Sequence, residues 1–300
     1  MKNALQSLGL IVTGLLITSC FAWFYVKNKG FERPIHPLAH PFFDAHPTPS
    51  LVAYRGGARE RPENTFAAFD LAAGLGPDVV LWADVRVTRD GTMVLFHDQD
   101  LRRMTGREGW IGFLADQDVA RLDPGDGFTD AAGGHPYRGV GLRVPTLREA
   151  LVRYPLHRFL LNFVEYAPGL DERVVELVTE LNAGDRILFQ SDIDGLGKDL
   201  RERKPMWLYG PSAPQVTRFL MMNSIGLAAS AALRADVYVA PPPQGRAPPL
   251  DDSSLAELKR RRMRVIAGPV RNEAEARSLV ERGVDAVVAD APSEFRFLLR

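Results

Sequence analysis

In the stretch WADVRVTRDGTMVLFHDQD, Asp84 and His97 stand on either side of Asp90-Gly91, a dipeptide suited to a two-residue hairpin turn. If those two residues form the loop, Arg89 faces Thr92, and counting down the ladder sets Asp84 directly opposite His97. Their Cβ atoms would then lie about 5 Å apart on one face. A carboxylate beside an imidazole orients the ring and stabilises its charged form, as proton transfer requires. Taken alone, the pair reads better as an ordinary surface ion pair. Upstream, the apolar run LVAY leads into Arg55-Gly56-Gly57. A guanidinium there is suited to bidentate recognition of phosphate oxygens. Tyr54 precedes it, and Glu63 and Asn64 follow within Pro-Glu-Asn-Thr, where Asn64 is placed to cap the next helix.

Elements must hold these groups together. From Leu51 onward, the runs LVAY, DVVLWADV, MVLFH, FLLNFV, RILFQ, MWLYG, VYVA, RVIAG and AVVAD read as strands. Between them TFAAFDLAAGL, TLREALVRY, ERVVELVTEL, SLAELKRRR and AEARSLVERG repeat apolar residues at helical spacing. Such alternation builds βα units around a mostly parallel sheet. A region of about 250 residues has the size of a TIM (β/α)8-type barrel. An open doubly wound sheet is the competitor, but no Gly-rich phosphate loop follows the first strand. The strands outnumber a barrel's eight, so the hairpin through Asp90-Gly91 is expected as an accessory.

Lys plus Arg and Asp plus Glu are each 37, for a net charge of +0. No global field therefore points to nucleic acid as a partner. With Cys20 the only cysteine, no internal disulfide and no cysteine-based zinc site can form. From Ala4 to Val26 no charged residue occurs, a run long enough to cross a bilayer as one helix. Trp23 and Tyr25, followed by Lys27 and Lys29, resemble an interfacial belt. The reading is a single-pass membrane anchor over 1–29, a linker over 30–50 and a barrel over 51–300, with the side of the membrane left open. Lipoprotein processing at Cys20 is the alternative, although the apolar FAWFYV continues across that box. His36, His40 and His46 are spaced too irregularly for a metal site and are expected in solvent. Lys259-Arg260-Arg261-Arg262 is expected as a solvated helix face, with anionic membrane contact as the alternative.

The ordered motifs RGG, PENTFAAF, DVRVTRDGTMVLFHDQDL, MTG, LDPG, YRGVGLRVPTLREAL, LLN, LFQSD and RGVDAVVADAP resemble the glycerophosphodiester phosphodiesterases. The resemblance covers Leu51 to about Leu298. It implies a TIM barrel with a divalent metal, calcium or magnesium, at the C-terminal face and two histidines acting as base and acid. Hard oxygen ligands suit such a metal. It also implies that Arg55 contacts phosphate, that Glu63 belongs to the substrate site, that Asp84 is a metal carboxylate and that His97 is the second histidine.

Departures fall on the chemistry. Tyr54 stands where the family has its first histidine, Trp82 where it has the first metal carboxylate, and Val164 where it has the third. Tyr166 replaces a lysine. Glu165 is next to the third position, but in a regular strand it points to the other face, so joining the metal would need a bulge. Between Gly76 and Asp84 the chain is one residue longer than the family pattern, which allows a bulge there too. A phenol titrates near pH 10 and is a poor base at neutral pH. The expected function is therefore a membrane-tethered family member whose metal-dependent hydrolysis is weakened or lost. A non-catalytic protein that binds a phosphodiester, a lipid headgroup or a protein partner is the alternative.

Overall fold

The computed structural model describes residues 2–29, 39–44, 46–240 and 250–299, with side chains of the first helix described at 9 and 11–25. Eight parallel strands follow one another round a barrel: β1 (Ser50–Ala53), β2 (Val80–Val87), β4 (Arg158–Phe163), β5 (Ile187–Ser191), β6 (Leu208–Tyr209), β7 (Val237–Val239), β8 (Arg264–Val270) and β9 (Ala286–Ala289). They are ordered β6-β5-β4-β2-β1-β9-β8-β7, with β3 (Met93–Leu95) paired to β2 off this path. The ring nearly closes, because the Asp236 amide donates to the Tyr209 carbonyl at 2.8 Å across the β6/β7 gap. Each of the nine strands overlaps a run read as a strand from sequence. The helices Asp194–Arg203 and Ala213–Ser224 were not among the helical patterns singled out. The first, DGLGKDLRER, is too polar for its pattern to stand out.

Strand alternation sorts the core into two layers. Val52, Val80, Leu160, Leu188, Val237, Ile266 and Val288 point inward, capped at the strand C-termini by Tyr54 and Trp82. Their neighbours Leu51, Leu81, Leu161 and Phe189 point outward against the helices. Gly56 lies where the first loop meets its helix. It has φ +82°, and a Cβ would fall 2.8 Å from that of Ala68, so only glycine fits.

The hairpin register differs from the expected one. Val85 pairs with Leu95 and Val87 with Met93, while the Thr88 amide donates to the Thr92 carbonyl at 3.0 Å. Residues 89–91 thus form a three-residue loop, with Gly91 at φ +91° in the left-handed position such loops require. The added loop residue shifts the ladder by one. Phe96, not His97, comes opposite Asp84, donating its amide to the Asp84 carbonyl at 3.0 Å. No bulge interrupts β2, whose ladder with β4 runs unbroken from Val80–Arg158 to Val85–Phe163.

Residues 39–44, expected as linker, are structural. The short helix Pro41–Asp44 buries Phe42 and Phe43 inside the barrel's N-terminal end. Fully buried Arg158 donates to the Phe42 carbonyl at 2.8 Å and to Ser50 Oγ at 3.2 Å. Burial pulls its pKa down to about 10, so it remains cationic at neutral pH. His46, expected in solvent, pairs through Nδ1 with Asp78 at 2.7 Å. His36 and most of the proline-rich loop after Ala240 lie outside the described residues.

A helix spans Lys2–Lys29, and its described apolar side chains, from Ile11 to Tyr25, are exposed. Among the described residues no helix is long and apolar enough to cross a membrane; the expected transmembrane span is not found among them. The barrel floor yields a test of its own. Phe42→Ala should destabilise the protein by about 3 kcal/mol or more, as expected for an aromatic removed from a closed core. Urea unfolding of the purified chain measures it.

Candidate functional site

Asp84 ends the inward row of β2 and is 1% exposed. Three side-chain donors and one guanidinium converge on its carboxylate. Arg55 Nε lies 2.7 Å from Oδ2 and Asn64 Nδ2 donates to the same oxygen at 3.2 Å. Asn162 Nδ2 and the Trp82 indole donate to Oδ1 at 3.1 and 3.3 Å. Asn64 Oδ1 also accepts from the Asp84 amide at 3.0 Å. Sequence reasoning gave Asn64 to the helix cap. The structure gives the cap to Thr65, whose hydroxyl accepts from the Ala68 amide, and turns Asn64 into the site. The cost is a left-handed backbone at both Arg55 (φ 53°) and Asn64 (φ 56°). Such strain persists where the surroundings over-determine it.

From Asp84 a chain of alternating charges runs across the mouth. Arg55 Nη1 donates to Glu63 Oε1 at 2.9 Å. Both Glu63 oxygens accept from Arg103, at 2.6 and 2.9 Å. Arg103 Nε in turn donates to Asp98 Oδ2 at 2.5 Å, and Asp98 Oδ1 holds His97 Nδ1 at 2.8 Å. His97 therefore meets Asp98, not Asp84, as its carboxylate, and its Nε2 is left for a ligand. The His97 and Arg103 hydrogen bonds hold Asp98 well below the usual carboxylate range, against the opposing effect of its partial burial. Arg103 was not singled out from sequence, although it stands directly before the Met104-Thr105-Gly106 motif.

Tyr54 and Trp82 fill the centre of the mouth edge to face, ring centroids 5.0 Å apart, with the Arg55 guanidinium 4.6 Å over the tyrosine ring. Burial pushes the Tyr54 phenol far above its ordinary pKa, and the Arg55 charge only partly offsets this. As a general base at neutral pH it is excluded.

Glu165 does not join Asp84. Strand β4 ends at Phe163, and beyond it Glu165 turns to the hairpin, accepting from Arg86 Nη1 at 2.8 Å and from the Val87 amide at 2.5 Å. Asp192 lies closer to the chemistry. Burial raises its pKa, the Asp84 charge raises it further, and His97 and Asn162 pull it back. Among the described residues no group of three His, Cys, Asp or Glu side chains could hold a metal ion. Both Asp84 oxygens already accept from fixed donors, and Arg55 supplies the positive charge beside them. This donor set does not fit a hard divalent cation, which needs several open oxygens.

A nearly closed parallel barrel with polar groups gathered at its C-terminal face defines a TIM-barrel protein with its site in the usual position for the fold. Residues 55–294 match the glycerophosphoryl diester phosphodiesterase family, and the chain belongs to that family. It is 26% identical over 258 residues to a glycerophosphodiester phosphodiesterase of Caldanaerobacter subterraneus, covering 83% of this chain and 97% of the relative. Two solved structures share the fold. The glycerophosphoryl diester phosphodiesterase domain of a Mycobacterium tuberculosis protein superposes with a TM-score of 0.69 at 24% identity, covering 84% of this chain and 99% of that one. A phosphodiesterase of Oleispira antarctica, solved with its product sn-glycerol-3-phosphate, gives 0.63 at 23% identity, over 84% and 96% of the two chains.

The Asp98 link has a pH signature. Its folded pKa is depressed, so its contribution to stability is complete above its unfolded value near pH 4 and is lost as pH falls below that toward the folded value. Asp98→Asn should remove part of the acid-side loss of stability while lowering stability at neutral pH, as read from melting temperature against pH.

Proposed function

We propose that this protein is a membrane-tethered member of the family that binds a glycerophosphodiester, or the phosphodiester headgroup of a lipid, and hydrolyses it slowly or not at all. The observation that carries this reading is the saturation of Asp84 by Arg55, Asn64, Trp82 and Asn162. A carboxylate so engaged is a structural anchor for the arginine rather than an open metal ligand. Tyr54, Trp82 and Glu165 do not restore the missing groups.

Binding chemistry remains. Arg103 is half exposed beside buried Arg55, and two guanidinium groups suit a phosphodiester oxygen pair. On the inward row, Asn162 Oδ1 and Gln190 Oε1 are buried without a hydrogen-bond partner among the described residues. Buried acceptors left open are costly, and the hydroxyls of a glycerol moiety are the donors that would satisfy them. His97, oriented by Asp98, keeps one proton-transfer group, which supports slow turnover as a remainder of the family reaction. The tether is supported by the uncharged run from Ala4 to Val26, whose length suits a bilayer.

Glycerophosphocholine titrated into the detergent-purified chain should bind equally well with calcium, with magnesium or with chelator present. Arg103→Ala should weaken that binding by roughly ten-fold, the loss of one charge-assisted contact. Rapid metal-stimulated release of glycerol phosphate, abolished by His97→Ala, would sink the binding reading and establish a hydrolase.

A further inference from the structure

Every loop that enters a barrel strand lies on the floor, opposite the mouth. Three of these loops carry a large apolar side chain in solvent: Leu156 before β4 is 79% exposed, Met206 before β6 is 75% exposed and Ile225 in the loop to β7 is 60% exposed. None contributes to the core. The same loops are rich in cations, of which Arg153, Arg203, Arg260, Arg261 and Arg282 pair with carboxylates of the flanking helices. Over the floor loops 74–79, 153–157, 181–186, 203–207, 225–236, 260–263 and 281–285, Lys and Arg number nine against five Asp and Glu. Among them are Arg260, Arg261 and Arg262. Arg261 is buried and staples the floor by donating to the Ala228 and Ala231 carbonyls, both at 2.7 Å. The next residue, Arg262, sits in a left-handed turn (φ 57°) directly before β8. The long segment 96–146 beyond the hairpin has the opposite balance, with acids in excess, in a chain whose net charge is +0.

The tether reaches the barrel at this same face. Phe42 and Phe43 enter the barrel from below, and ten peptide steps separate Ala39 from Lys29, a reach of at most about 36 Å. Trp23, near the end of the first helix, lies so close to the floor loop that a Cβ on Gly226 would stand 3.7 Å from its ring. Tryptophan at the end of an apolar helix marks the level of the membrane interface. Ile225 is adjacent to that contact, so this exposed apolar tip lies at the level of the helix's tryptophan.

We propose that the barrel floor is a membrane-docking face. Leu156, Met206 and Ile225 enter the headgroup region of an anionic bilayer, and Lys204, Arg234 and Arg262 pair with lipid phosphates. This rests on the tether reading above and adds an orientation to it. β2 alone rises about 26 Å from floor to mouth at 3.3 Å per residue. The mouth therefore opens away from the bilayer and takes its phosphodiester from the aqueous phase, not from the lipids beneath the protein. Basic clusters with apolar tips are held by anionic lipid and released by salt.

The test uses the full chain with Cys20→Ser and one new cysteine for a spin label, at Met206→Cys, Ile225→Cys or, on the mouth side, Phe113→Cys. In nanodiscs of phosphatidylglycerol and phosphatidylcholine, the two floor labels should collide more with lipid-dissolved oxygen than with a water-soluble nickel complex. The Phe113→Cys label should show the reverse. High salt or Arg262→Glu should return the floor labels to water. A membrane-shielded Phe113→Cys label, or floor labels that stay in water while alkaline extraction leaves the chain in the membrane, would overturn the docking and leave the tether standing. Release of the chain by alkaline extraction would overturn both.

Discussion

The ion pair between Arg55 and Asp84 is the constraint on which the mouth depends. Each group is nearly inaccessible to water, and removing one charge of a buried pair costs several kcal/mol, about 3–5 by general experience. The arginine reaches its partner because residue 55 adopts a left-handed turn, followed by two glycines of positive φ and a capped helix. Asn64 adopts the same conformation to bond Asp84 twice. Glu63 then receives the rest of the Arg55 charge and passes the demand to Arg103, Asp98 and His97. Each partner satisfies the one before it, so the site forms as one network and cannot be altered at one position without cost at the next.

That network explains why the aromatic pair at Tyr54 and Trp82 is tolerated in a mouth full of charge. The rings form the apolar roof of the inward core, and the indole N–H is satisfied by Asp84. Phosphodiester chemistry in this family is implied to rest on a cation held by carboxylates. Here the cation beside Asp84 is a side chain of the protein. An internal guanidinium can neutralise a carboxylate and hold an anion. As a Lewis acid that lowers the pKa of a bound water it has no capacity.

The two ends of the barrel have different tasks. At the mouth, polar groups and strained backbone gather round the inward rows of β2, β4 and β5. At the floor, Phe42 and Phe43 close the core, Arg158 pins them and Leu156, Met206 and Ile225 are exposed. The plug joins the segment that carries the apolar helix to the side of the barrel away from the site.

Much was legible in the chain itself, because it depends on period and on local chemistry. Alternating apolar runs and helical stripes named all nine strands and five of the helices. The ordered motifs pointed to the family. Partnership was not legible. Asp84 and His97 were expected to face each other, but one extra loop residue at Gly91 moved the register, and a shift of one residue changes every cross-strand neighbour. Glu165 was tied to the hairpin by Arg86 and the Val87 amide, contacts 78 and 79 residues apart in sequence. Arg103 entered the site from a loop whose position no periodicity announces. Sequence by itself determined most of the elements, the family and part of the site, since these follow from residue type and spacing. Only the tertiary structure decided which carboxylate meets which cation, because that choice is made by distances across the barrel mouth.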